Sequence, residues 1–77
     1  MNNSELLNKK EKIDAILVDK RWDKNYWTSK VKTAKWDTPN LRNPFEANLE
    51  DTQLEIEALE LLRDSIDTAL KLEANPF

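Results

Sequence analysis

The sequence predicts an all-helical protein, and three features lead to that prediction. The 77 residues contain no glycine, although β-hairpin turns rely on glycine for backbone conformations with positive φ. Apolar residues recur at spacings of three and four along the second half of the chain, which is the repeat of one helix face. Residues that start and stop helices bracket this repeat. We therefore expect one domain, spanning 1–77, formed by an antiparallel hairpin of helices at about 5–36 and 44–74.

The second helix is predicted to begin at Asn43-Pro44-Phe45-Glu46. Asparagine caps free backbone amides, and proline is favoured in the first turn. Asn75-Pro76 is the predicted stop, because proline cannot continue a helix. The heptad-like row of a coiled coil lies between them and contains Phe45, Leu49, Thr52, Ile56, Leu59, Arg63, Ile66 and Leu70. Leu62 and Ala69 are predicted to widen this row on one side, and Leu54, Ala58, Leu61 and Leu72 on the other.

The first helix must cover that row, and its own apolar row contains Leu6, Ile13, Leu17, Trp27, Val31 and Ala34. Lys10, Lys20 and Lys24 fall on the same row. In the predicted hairpin Lys20 lies near Glu60 and Lys10 lies near Glu73. We therefore expect these lysines to face acidic partners on the second helix.

Two alternatives remain for the first half of the chain. Residues 21–29 are indifferent helix formers, and Ser29 could cap a new helix, which would give three helices. A strand through 26–33 is the other alternative. Two copies of the hairpin could also dimerise into a four-helix bundle.

Charge is segregated along the chain. Residues 20–42 carry a net charge of +5 and residues 43–77 carry −7, within a total of −3. Opposite charges on facing helices help to set the pairing of a hairpin, as they do in coiled coils. We therefore expect the separated charges to contribute to pairing of the two helices at least as much as to the function of the protein.

The basic segment is also the aromatic segment, and it provides the candidate partner-binding residues. These are Trp22, Tyr26, Trp36, Lys30, Lys32 and Lys35. Tryptophan and tyrosine are enriched at the energetic centres of protein interfaces. Trp22 and Tyr26 lie four residues apart on a stripe that a two-helix hairpin leaves uncovered. Base stacking with phosphate neutralisation is the alternative, so segment 20–42 could instead bind single-stranded nucleic acid.

The second helix presents a candidate acidic face, which consists of Glu50, Asp51, Glu57, Glu60, Asp64 and Asp67. Such a face suits an inhibitor that occupies a basic groove. The leading hypothesis is a non-enzymatic interaction module: a small acidic inhibitor, adaptor or accessory subunit. By analogy alone, its size and acidity suit a phage-type host-takeover or anti-defence protein.

Each of the two phenylalanines follows Asn-Pro, in Asn43-Pro44-Phe45 and Asn75-Pro76-Phe77. This tripeptide resembles the ligand of EH domains, which are endocytic adaptor modules. The resemblance covers three residues at a time and implies an EH-type receptor, for which Asn75-Pro76-Phe77 is the better candidate. The helix boundaries account for both copies without such a receptor.

The composition also sets the expected exclusions. Without histidine or cysteine, the chain can form neither a Ser-His nor a Cys-His catalytic arrangement, and it lacks the usual zinc ligands. We expect no catalytic residues, no metal and no cofactor. No signal peptide or membrane-spanning segment is apparent, so a soluble, cytoplasmic protein is expected. A chain this small without disulfides usually needs a partner chain, which favours a protein partner or a homodimer.

Overall fold

The computed structural model describes residues 3–37 and 41–74, without the side chains of 73 and 74, and it confirms the helical hairpin. Helix α1 spans Asn3–Thr33 and helix α2 spans Pro44–Ala74, with 31 residues each. The two helices pack against each other along their length. No strand occurs within the described ranges.

Helix α1 is continuous through residues 21–29, so neither the three-helix alternative nor a strand at 26–33 is observed. The hydroxyl of Thr28 donates to the backbone oxygen of Lys24 at 2.7 Å, which satisfies this weak helix former inside the helix. The helix ends at Thr33, earlier than the predicted boundary at 36.

The predicted start of α2 is confirmed by its hydrogen bonds. The Asn43 side-chain oxygen accepts a hydrogen bond from the backbone amide of Phe45 at 2.9 Å. The Asn43 carbonyl accepts the bond from Ala47 at 3.0 Å, so Asn43 is the N-cap and Pro44 is the first helical residue. The predicted stop at Asn75-Pro76 lies outside the described residues.

The core follows the predicted apolar rows and is one side chain deep. Its buried apolar members among the described residues are Leu6, Ile13, Leu17, Ile56 and Ile66. Leu59, Ala69 and Leu70 pack against them and are partly buried. Thr52 is buried on the same row and donates its hydroxyl to the Asn48 carbonyl at 2.8 Å, so its polar group carries little desolvation penalty.

The register of the hairpin differs from the predicted one. Two of the three row lysines pair with acids of α2, but Lys10 binds Asp67 at 2.6 Å and Lys20 binds Glu55. No ion pair of Lys24 is observed among the described residues. Glu60, the predicted partner of Lys20, pairs with Arg21 instead, and the side chain of Glu73 lies outside the described residues. Because α1 ends before the predicted boundary, the midpoint of the hairpin moves toward the N-terminus. Each residue of α1 therefore faces an earlier residue of α2.

The molecule is a rod that measures 60 × 19 × 15 Å. Its Cα radius of gyration is 17.6 Å, whereas a compact chain of this length has a radius of about 11.5 Å. In the described part of the chain, no helix is long and apolar enough to cross a lipid bilayer.

Candidate interaction surfaces

The outer face of α1 carries an exposed aromatic ridge, which we define as Trp22, Tyr26 and Lys30. The Trp22 side chain is 72% exposed and that of Tyr26 is 54% exposed. The Lys30 ammonium lies 5.6 Å from the centroid of the Tyr26 ring, and Tyr26 meets Trp27 edge to face at 4.9 Å. One helix face therefore holds two of the predicted aromatic residues with one of the predicted lysines.

The remaining predicted partner-binding residues do not join this ridge. Lys32 is exposed but follows Lys30 by two residues, so the two side chains leave α1 in different directions. Lys35 lies beyond the end of the helix. The Trp36 indole nitrogen donates to the Leu41 carbonyl at 3.0 Å, which ties the two ends of the interhelical linker together.

At the same end of the hairpin, Trp27 packs against Phe45. Their ring centroids are 6.2 Å apart, and both side chains are half-buried. Phe45 therefore serves the fold within the first Asn-Pro-Phe copy. The second copy, Asn75-Pro76-Phe77, lies outside the described residues.

The predicted acidic face is partly neutralised by the chain's own cations. Glu50 pairs with Arg42, Glu60 lies 3.7 Å from Arg21, and Asp67 lies 2.6 Å from Lys10. The other three predicted members, Asp51, Glu57 and Asp64, are exposed.

The hydrogen bond between Lys10 and Asp67 changes the proton affinity of both groups. It raises the pKa of Lys10 and lowers the pKa of Asp67. A hydrogen bond to Glu55 likewise raises the pKa of Lys20. Basic and acidic residues that are separated along the sequence therefore pair with each other within the hairpin.

Carboxylates do gather at one shallow surface depression of about 320 Å³, which is lined by Glu57, Glu60, Leu61 and Asp64. The described ranges nevertheless contain no group of three or more acidic, histidine or cysteine side chains that could hold a metal ion. The depression is open to solvent, so its acids belong to a solvated surface.

The two long sides of the hairpin differ in character. Most of the described ion pairs between the helices line one side, where Asp14 lies 3.7 Å from Arg63 and Arg21 lies 3.7 Å from Glu60. The pair of Lys20 with Glu55 lies on the other side, because these residues are seven positions from Ile13 and Leu62 respectively. The other side carries a shallow cleft of about 500 Å³, which we call the apolar groove. Its lining residues are Leu6, Lys9, Lys12, Ile13, Leu62 and Ile66.

Sequence reasoning missed this groove because it assigned Leu62 to a widened buried row. The Leu62 side chain is 51% exposed. Leu54, Ala58, Leu61 and Leu72, which were also predicted to widen that row, are exposed as well. A single facing helix covers only a limited arc of α2. The excess of apolar residues beyond the heptad positions was the signal for a second apolar surface.

The chain was compared with protein-family models, curated proteins and solved structures, and no match was found in any of the three comparisons.

Proposed function

We propose that the protein is a non-enzymatic interaction module that binds a partner protein through the aromatic ridge. The observation that supports this proposal best is the exposure of Trp22, at 72% of its side-chain surface. The described residues bury only five apolar side chains, yet a tryptophan is left in solvent. Exposed aromatic residues of this kind are typical of interface hot spots.

The setting of the ridge favours binding at low entropic cost. Trp22 and Tyr26 project from the C-terminal half of a 31-residue helix and not from a loop. Tyr26 is flanked by the Trp27 ring at 4.9 Å and by the Lys30 ammonium at 5.6 Å. Side chains that are ordered before binding lose less conformational freedom when a partner covers them.

The proposed role is that of a small acidic inhibitor, adaptor or accessory subunit that occupies the surface of its partner in the cytoplasm. A phage-type host-takeover or anti-defence role remains an analogy. Inhibition through the acidic face has less support than binding through the ridge, because Glu50, Glu60 and Asp67 already pair with cations of the chain.

Single-stranded nucleic-acid binding through segment 20–42 is the second candidate. The Lys30 ammonium beside the Tyr26 ring is the observation that favours it, since basic and aromatic groups together suit stacked bases and phosphates. Three further cations of the segment are engaged elsewhere, because Lys20, Arg21 and Arg42 pair with acids of α2.

Affinity capture from an extract of the source cells, with matched variants, tests the ridge. The Trp22→Ala/Tyr26→Ala variant should lose proteins that the unchanged chain retains, by at least about 30-fold in affinity if either residue is a hot spot. The control is Leu54→Ala/Leu61→Ala, which truncates two exposed side chains of α2 and should retain the same proteins. Circular dichroism checks that both variants are helical. Equal capture by the ridge variant would refute the proposal.

Titration with labelled single-stranded DNA at two salt concentrations tests the second candidate. Binding through phosphates weakens steeply as salt rises. Tight binding at low salt that is lost in the ridge variant would replace the protein partner with nucleic acid. Absence of binding at low salt would eliminate the second candidate.

A further inference from the structure

The hairpin exposes more surface than a monomer of its mass normally does. Its accessible surface is 6032 Å², whereas a compact monomer of 9.0 kDa exposes about 4,900 Å². The difference is about 1,100 Å², and a standard protein interface buries about 800 Å² on each partner. A second chain could therefore be accommodated without disturbing the fold.

The apolar groove is the side of the rod where such a chain fits. Leu62 is half-exposed at its edge, and the buried residues Leu6, Ile13 and Ile66 form its floor. Most of the described ion pairs between the helices, such as Asp14 with Arg63, lie on the opposite side, and the pair on the groove side, Lys20 with Glu55, lies beyond the groove toward the linker. Packing an apolar surface against the opposite side would bury charged pairs, which carries a desolvation cost.

Charged residues on the groove side of α1 are opposite in sign on the two sides of Ile16 and symmetric in position to within one residue. Lys9 and Lys12 precede Ile16 by seven and four residues, and Asp19 and Asp23 follow it by three and seven. Spacings of three, four and seven place all five on one face of the helix. Ile16 itself is 44% exposed.

This arrangement is self-complementary for two antiparallel copies of α1. A two-fold axis at Ile16 places each residue that precedes Ile16 in one copy opposite a residue that follows Ile16 in the other copy. Lys9 of one copy then faces Asp23 of the other. Lys12 faces the level of Lys20, which pairs with Glu55 of its own chain, and the adjacent Asp19 is the acid within its reach. If the two α1 helices packed in parallel, lysines would face lysines and aspartates would face aspartates.

We propose that a second copy of this chain occupies the apolar groove and forms an antiparallel four-helix bundle. The axis passes at the level of Ile16 and Leu62, so Leu62 packs against Leu62 of the second copy. Ala58 and Ser65 flank Leu62 on α2 and are small enough to let the two α2 helices approach closely.

Tyr26 and Lys30 follow Asp23 by three and seven residues, so they lie on the same face of α1 as Ile16, toward the end of the dimer contact. Trp22 is one residue away from Asp23 and projects outside this face, so a variant of Trp22 alone separates the ridge from the dimer.

Sedimentation equilibrium of the full chain tests the dimer. We expect a mass of about 18 kDa, twice the 9.0 kDa of one chain, at micromolar concentration. Leu62→Glu should weaken association by about 100-fold or more, because it places two carboxylates against each other at the axis. Leu7→Glu is the matched control, since Leu7 is 49% exposed and lies seven residues before Asp14, on the side of the hairpin away from the groove. It should leave the dimer intact.

An exchange of charges tests the antiparallel axis without touching an apolar residue. Lys12→Asp alone and Asp19→Lys alone should each weaken the dimer by about 10-fold, because each places like charges opposite one another. The double variant Lys12→Asp/Asp19→Lys should recover most of that loss. Residues 12 and 19 are two helical turns apart in one chain, so recovery reports contact between copies.

Three results would overturn the inference. The first is a monomer at concentrations up to about 1 mM, where even weak association is detected. The second is equal dissociation by Leu7→Glu and Leu62→Glu, which would move the interface away from the groove. The third is a double charge variant that associates no better than either single variant. Trp22→Ala should leave the mass unchanged, which separates this test from that of the ridge.

Discussion

The ammonium nitrogen of Lys10 lies 2.6 Å from a carboxylate oxygen of Asp67, between the buried residues Leu6 and Ile13 of the same helix row. The hydrogen bond favours the charged form of both groups. It holds the pKa of Asp67 below its ordinary value of 3.8 and the pKa of Lys10 above its ordinary value of 10.5. The pair therefore links the stability of the hairpin to pH at both extremes.

The pH dependence follows from the direction of each shift. The contribution of Asp67 is complete above pH 3.8 and is lost as the pH falls through its lowered folded-state pKa. The contribution of Lys10 is complete below pH 10.5 and is lost as the pH rises through its raised folded-state pKa. Between these two pH limits, we expect this pair to leave the melting temperature unchanged. At pH values beyond either limit, the melting temperature should decrease.

Asp67→Asn provides the measurement for the acid limb. Thermal unfolding followed by circular dichroism should show the variant less stable than the unchanged chain near neutral pH. The difference should shrink as the pH is lowered below 3.8. Asp64→Asn is the control, since Asp64 forms no ion pair among the described residues. A constant difference between unchanged chain and Asp67→Asn at all pH values would contradict the prediction.

The buried row should be sensitive to loss of volume at Leu17, whose side chain is 0% exposed. Leu17→Ala is expected to lower the free energy of unfolding by about 2–5 kcal/mol, because it removes buried methyl groups and leaves a cavity. Urea unfolding at one fixed protein concentration measures this change. Leu7→Ala, at a half-exposed position of the same helix, should change it by about 0.5 kcal/mol or less. Similar losses for both variants would mean that Leu17 is not the better-packed residue.

Trp36 should act on the linker and not on the proposed partner. Trp36→Phe removes the indole donor to the Leu41 carbonyl and should lower the free energy of unfolding by about 0.5–1.5 kcal/mol. Trp22→Phe, at a more exposed position, should leave stability unchanged. In the affinity capture described above, Trp36→Phe should retain the partner. Loss of the partner with unchanged stability would instead place Trp36 in the interface.

The sequence predicted those parts of the fold that depend on local pattern. The row from Leu6 to Val31, the row from Phe45 to Leu70, and the Asn43 cap require only helical spacing and capping chemistry. The end of α1 at Thr33 was predicted less well, because helix ends differ little in free energy from one residue to the next. That difference changed the register, and with it the partners of Lys10 and Lys20.

The candidate surfaces were only partly predictable. Trp22 and Tyr26 were assigned to an uncovered stripe from their spacing, and both are exposed. The groove beside Leu62 was not predicted, because the width of the buried arc depends on how much of α2 a single partner helix covers. The pairing of Glu50 with Arg42 depends on the path of the linker, which the helical repeat does not determine.

The single buried row extends along a molecule 60 Å long, so every core residue is shielded by just one neighbouring helix. Opening of the hairpin at one end exposes few apolar side chains and leaves the rest of the row in place. Backbone amide protection against hydrogen exchange should therefore increase gradually from both ends toward the level of Leu17. A molecule that lies along the full length of the rod would couple these separate openings and make the whole hairpin unfold as one cooperative unit.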